Sequence, residues 1–199
     1  MSMQKQKKLS KIERWQLKDE DFLAKLGLEV EDLRIRLNFL KKLKSSSDFR
    51  KLFPDFYHLV TNSVKETLSI GIMRLSDRRK NVLSLLKVLE AVRRESEENA
   101  KELEEVEEIL VSSLERIKEY RNNYLAHKNA QKFFEFKNKL LDEVLPEVEE
   151  LEDALNVLKE VVWRVSKAFG LPMSCGVLSD IEIEMNILFE SLGCRIDAK

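Results

Sequence analysis

One short stretch, Arg121-Asn122-Asn123-Tyr124-Leu125-Ala126-His127, sets a guanidinium, a carboxamide and an imidazole within two helical turns. The chain holds two histidines, His58 and His127, so the placement of the second is informative. Arginine keeps its charge at any working pH and can fork onto phosphate oxygens. Histidine gains or loses a proton near neutrality. Together they suffice to cleave a phosphodiester without a metal, one moving protons and the other stabilising a crowded anion. The same two residue types near a helix end also meet the last carbonyls and the negative pole of the helix.

These residues must be positioned by helices. The chain has 199 residues, 5 Gly and 3 Pro, and 36% of it is charged, so chain breakers are scarce and helix formers abundant. Leu26, Val30, Leu33, Leu37 and Leu40 form an apolar stripe within a segment of one or two helices from Leu9 to Leu43, which Gly27 is expected to break. Ser45-Ser46-Ser47-Asp48 reads as a linker with N-cap chemistry. A helix starts near Pro54 and carries Phe56, Leu59, Val60, Val64, Leu68, Ile72 and Leu75 on one expected face. A basic loop follows, then a short apolar helix with Val82, Leu85, Leu86, Leu89 and Val92. From Ser96 an acidic helix with Leu103, Val106, Leu110, Leu114 and Ile117 delivers the chain into the Arg121–His127 stretch.

Further on, Phe133, Phe136, Leu140, Leu141 and Val144 mark another helix, which Pro146 kinks or restarts. Val148, Leu151, Leu155, Leu158, Val162, Val165 and Phe169 continue a stripe that Gly170 and Pro172 close. A last helix is predicted from Ser179 to Leu192. No strand alternation is present, so the predicted fold is all-α, an antiparallel helical bundle.

Composition limits the function classes. No apolar run approaches the roughly 20 residues of a membrane span. The N-terminus lacks the apolar core of a secretory signal. Cys175 and Cys194 make no disulfide framework and suit a reducing cytoplasm, and Cys175 reads as an inert thiol. No His/Cys cluster has zinc-ligand spacing, and no cofactor motif is present. Charge is uneven: residues 1–94 carry 22 Lys/Arg against 12 Asp/Glu, a net of +10, and residues 95–199 carry 13 against 24, a net of −11. The basic half either meets nucleic acid or docks on the acidic half of the same chain or of a second copy.

Three landmarks stand in order: Arg74-Leu75-x-Asp77, Leu83-Ser84-Leu85-Leu86, and Arg121-Asn122-x-x-x-Ala126-His127. This order resembles the HEPN (higher eukaryote and prokaryote nucleotide-binding) superfamily, and within it the abortive-infection U-type branch, over roughly Pro54 to Phe169. The resemblance implies an N-terminal helical extension (1–50), a HEPN-type bundle (51–170) and a C-terminal helix or tail (171–199). It also implies a metal-independent endoribonuclease of the phage-defence or toxin type, working as a cytoplasmic homodimer on RNA, with an antitoxin or regulatory protein as a further partner. By match of position Arg121 and His127 would be the catalytic pair and Asn122 the polar residue that follows the arginine. Arg74 and Asp77 match a branch-typical pair of less defined role.

Geometry gives the dimer independent support. Six residues along one helix separate two side chains by about 120° and about 9 Å, so one copy does not aim both groups at one phosphate. A two-fold axis through the motif would gather two arginines and two histidines in one groove.

Other side chains carry paired readings. Arg78, Arg79 and Lys80 either hold an RNA backbone or form a solvated loop. Tyr120 and Tyr124 stack on a base or pack at the bundle end. Asp77 pairs with Arg74 or caps backbone amides. His58 is expected in a surface or half-buried structural role, and Trp15 and Trp163 in packing. Two other functions compete with the nuclease. One is a non-catalytic HEPN nucleotide- or RNA-binding or dimerisation module; the other is a coiled-coil adaptor, which the breaks at Gly27, Pro146 and Gly170 disfavour.

Overall fold

Apolar residues at every third or fourth position decide which segments coil and which sides they turn inward. A computed structural model describes residues 20–77, 84–95, 97–120, 145–168 and 178–191. Among these residues there are eight helices and no strand, arranged as an all-α bundle. They are α1 (Glu20–Ser45), α2 (Ser47–Leu52), α3 (Pro54–Leu75), α4 (Leu85–Glu95), α5 (Glu97–Ser113), α6 (Glu115–Tyr120), α7 (Val148–Ala168) and α8 (Leu178–Ser191).

α1 runs without interruption through Gly27, contrary to the break expected there. One glycine costs about 1 kcal/mol relative to alanine in a helix. The stripe of Leu26, Val30, Leu33, Leu37, Leu40 and Leu43, all buried, outweighs it. The expected serine linker shrinks to a single residue. Ser46 N–H donates to the carbonyls of Lys42 and Leu43, and its Oγ accepts from Phe49 N at 3.3 Å, capping α2. Pro54 then opens α3 at its first position.

α3 corrects another expectation. Leu68, Ile72 and Leu75 are buried, but Phe56 and Leu59 are 55% and 63% exposed. Turning by about 100° per residue, a helix puts positions 56 and 72 on nearly opposite sides, so they cannot share a face. Tyr57, Thr61 and Lys65 occupy the inward positions instead. The buried hydroxyls are satisfied locally: Thr61 donates to the Tyr57 carbonyl, Ser69 to that of Lys65 and Ser76 to that of Ile72, each at 2.8 Å. At Gly71 the helix meets α1 so closely that an added Cβ would lie 2.5 Å from Leu33 Cδ2.

The acidic helix is also not continuous. α5 stops at Ser113, a turn follows at Leu114, and α6 resumes at Glu115. Ser112 and Ser113 both donate their hydroxyls to the Ile109 carbonyl, the kind of back-bonding that loosens a helix. Val106, Leu110, Leu114 and Ile117 remain buried across the turn, so the apolar register survives. α7 starts after Pro146, where the Glu150 carboxylate accepts from Glu147 N at 2.8 Å. Its predicted stripe is buried from Val148 to Val165. Trp163, expected in packing, is 44% exposed, with the Lys167 ammonium 5.1 Å from its ring centre. The expected helix around Phe133–Val144, and Trp15, Val82, Gly170 and Pro172, lie outside the described residues, as do the side chains of Val92 and Leu103.

Two contacts set helix direction. α1 and α3 run antiparallel, with Glu29 beside Arg74 and Leu33 beside Gly71. α1 and α7 are also antiparallel, with Lys44 near Glu147, Lys41 paired with Glu152, and Gly27 facing Val162. The bundle therefore has a 29/74 end and a 44/147 end. Leucines, isoleucine and valines from α1, α3, α4, α5, α6 and α7 fill one core between them. A smaller aromatic cluster of Phe49, Tyr57 and Phe189, with Leu43 and Phe39, joins α1, α2, α3 and α8.

Candidate functional site

α6 is the last described element before the motif. Its Ile117 and Tyr120 are buried, and Arg116 Nε lies 3.7 Å from the Glu150 carboxylate in the first turn of α7. These contacts bring the chain to Tyr120 at the 44/147 end of the bundle. The next described residue after Tyr120 is Leu145, fully buried at the same end just before α7. Arg121, Asn122, Tyr124 and His127 lie outside the described residues, as do Arg78, Arg79 and Lys80.

Around this end the basic first half of the chain meets the acidic second half. Lys44 and Lys65 approach the same Glu147 carboxylate oxygen at 3.9 and 3.8 Å, and Lys41 pairs with Glu152. At these three lysines, docking of the basic half on the acidic half occurs within one chain. Lys65 is 5% exposed, an unusual position for a lysine, and its stem extends through the core face of α3. Sequence reasoning passed over it, although it falls in register with Thr61, Leu68 and Ile72 and is the charged member of that row. Glu147 was missed too, since a glutamate after proline carries no mark of the two cations it meets.

Arg74 and Asp77 sit elsewhere. The Arg74 guanidinium reaches α1 and pairs with Glu29 at 3.0 Å, rather than with Asp77 as one sequence reading had it. Asp77 follows the helix end, its N–H donating to the Arg74 carbonyl at 3.3 Å. This is the 29/74 end. Along α1, Glu29 and Lys44 are fifteen positions apart, or about 22 Å at 1.5 Å per residue. Within one chain, then, Arg74 lies at the opposite end of the bundle from Tyr120, the last described residue before the motif. His58 is exposed, as expected, with its ring edge-on to Tyr57.

Among the described residues no group of three or more His, Cys, Asp or Glu is placed to hold a metal ion. No helix among them is long and apolar enough to cross a membrane.

The family model HEPN_AbiU2, described as AbiU2, matches residues 19–185. The chain belongs to the HEPN_AbiU2 family. As an AbiU2-family protein it is of the HEPN-type abortive-infection class. The match takes in α1 through α7 and half of α8, a wider span than the Pro54–Phe169 region carrying the landmarks. All three AbiU2-like landmarks, including Arg121–His127, fall inside it. No curated protein matches the chain, and no solved structure matches it.

Proposed function

We propose that this AbiU2-family chain is a metal-independent endoribonuclease that acts as a cytoplasmic homodimer in phage defence or as a toxin, under the control of an antitoxin or regulatory protein. The observation that carries the reading is the Arg121-Asn122-x4-His127 sequence directly after an anchored helix. α6 is tied down by Ile117, Tyr120 and the Arg116–Glu150 pair, so the motif begins from a fixed point.

RNA supplies its own nucleophile. One imidazole of His127 takes the 2′-hydroxyl proton as the 2′-oxygen forms its bond to phosphorus. The bond to the 5′-oxygen breaks, and that oxygen leaves with a proton from the second imidazole of the dimer. Arg121 holds the non-bridging oxygens as negative charge builds on them. Asn122 orients the imidazole or the phosphate. The products are a 2′,3′-cyclic phosphate and a 5′-hydroxyl, and DNA resists because it lacks the 2′-hydroxyl.

The test is incubation with a structured RNA in EDTA, followed by detection of cyclic-phosphate ends. His127→Ala should lower the rate by about 10²-fold or more while leaving the circular dichroism spectrum unchanged. Cleavage that survives unchanged in His127→Ala removes the proposal. RNA binding without any cleavage by the native chain favours the non-catalytic binding module.

A further inference from the structure

α2 and the first turn of α3 turn large apolar side chains to solvent. Leu52, Phe53 and Phe56 are 60%, 45% and 55% exposed. Phenylalanine is among the residue types most often buried, so two open ones close together are unusual. They are not loose. Both tilt against the buried Phe49 ring, with centres at 5.6 Å for Phe53 and 6.1 Å for Phe56. One buried ring thus seats two open ones.

Cations stand beside these rings. Arg50 and Lys51, in the last turn of α2, are exposed. Other cations at the 44/147 end face carboxylates: Lys41 meets Glu152, Lys44 meets Glu147 and Arg116 meets Glu150. Among the described residues, Arg50 and Lys51 pair with no carboxylate. The Arg50 guanidinium lies instead 5.7 Å from the centre of the Tyr57 ring, which steadies the side chain. The acids nearest in sequence, Asp48 and Asp55, stand in the first turns of α2 and α3, where the helix dipole favours them.

The place of this face in the fold gives it a use. α2 joins the end of α1 at Ser45 to the start of α3 at Pro54, at the 44/147 end. Tyr120, the last described residue before the Arg121–His127 motif, is at the same end.

We propose that this face binds unpaired RNA, with Phe53 and Phe56 stacking on bases and Arg50 and Lys51 holding backbone phosphates. The bases of a single strand are free to stack on aromatic rings, and its backbone is a polyanion that cations attract. In a duplex the bases are already stacked on one another, so the rings gain nothing. A protein partner would cover the apolar side chains, yet the uncommitted cations beside them call for a polyanion. The proposal rests on the nuclease reading for its substrate, and narrows that substrate to RNA with unpaired segments.

Fluorescence anisotropy of the full chain with a labelled single-stranded RNA, of mixed sequence and 2′-O-methylated throughout, tests the face. The blocked 2′-oxygen prevents the proposed cleavage, so binding is read alone. Native protein should bind this strand about tenfold or more tightly than the same strand annealed to its complement. Arg50→Gln/Lys51→Gln should weaken binding by about fivefold or more at about 0.1 M salt, and lower the slope of log Kd against log salt by about 1.4, about 0.7 for each phosphate. Phe56→Ala should weaken it by about fivefold or more, whereas Phe56→Trp should keep it. Circular dichroism checks the fold of each variant, and if Phe56→Ala loses helical content the exposed pair Arg50→Gln/Lys51→Gln decides alone. A duplex bound as tightly as the single strand overturns the proposal. So does a native chain that does not bind the strand at about 100 μM, the weak limit of nonspecific nucleic-acid binding. Variants that bind RNA as the native chain does also overturn it, and leave the face to a protein partner. A chain that cleaves RNA with binding unchanged in the variants loses this face and keeps the nuclease reading. A chain that cleaves nothing, with binding weakened in the variants, does the reverse.

Discussion

α3 has two apolar sides with opposite fates. Its inner side, Leu68, Ile72 and Leu75, is sealed against the bundle. Its outer side, Phe56, Leu59 and Ile70, is open to solvent. Residue types alone do not separate them, since isoleucine occurs on both. The difference lies in partners: Gly71 lets α1 approach the inner side, whereas on the outer side Leu59 and Ile70 stay more than half exposed and Phe56, also more than half exposed, tilts against the Phe49 ring of α2 at 6.1 Å between centres. A contiguous exposed apolar patch marks a contact surface, whereas single exposed apolar side chains need no partner.

The sharpest way to break this contrast is to truncate both isoleucines separately. Ile72→Ala should cost about 2–5 kcal/mol of folding stability by lost burial and a residual cavity. Ile70→Ala, two residues away, should change the stability of the monomer by no more than about 0.5 kcal/mol. Urea denaturation at low protein concentration measures both, and equal losses would abolish the distinction. Next in size is Gly71→Ala. The added methyl collides with the buried Leu33 side chain, and overpacking of about 1–3 kcal/mol exceeds the ~1 kcal/mol gained in helix propensity. A net loss of about 1 kcal/mol is expected, visible as a lower urea midpoint. The smallest effect is of opposite sign. At Gly27 an added Cβ would lie an ordinary 3.7 Å from Val162, so Gly27→Ala should stabilise by about 0.5–1 kcal/mol. If both glycines respond alike, the close approach at Gly71 does not set the spacing of α1 and α3.

Much of this architecture could be read from the chain. Stripes at three and four residues located α1, α3, α5 and α7, and Pro54 fixed a helix start to the residue. What escaped reading has physical causes. Gly27 looked like a break because propensity is local, whereas the six buried residues around it act through tertiary contact. The turn at Leu114 was hidden because its cause is two serine hydroxyls bonding back to one carbonyl, not a glycine or proline. Phe56 and Leu59 were assigned inward because an apolar count ignores angle. The candidate site was legible as a motif and a family, and the family is borne out over residues 19–185. Its surroundings were less so. Arg74 and the exit of α6 look close in a list of landmarks, yet they belong to opposite ends of the bundle.

Tyr120 and Leu145 are both buried where the described chain leaves and re-enters the scaffold. Each is held by packing within the described scaffold, so a truncation at either, Tyr120→Ala or Leu145→Ala, is felt as lost burial in the frame of the bundle.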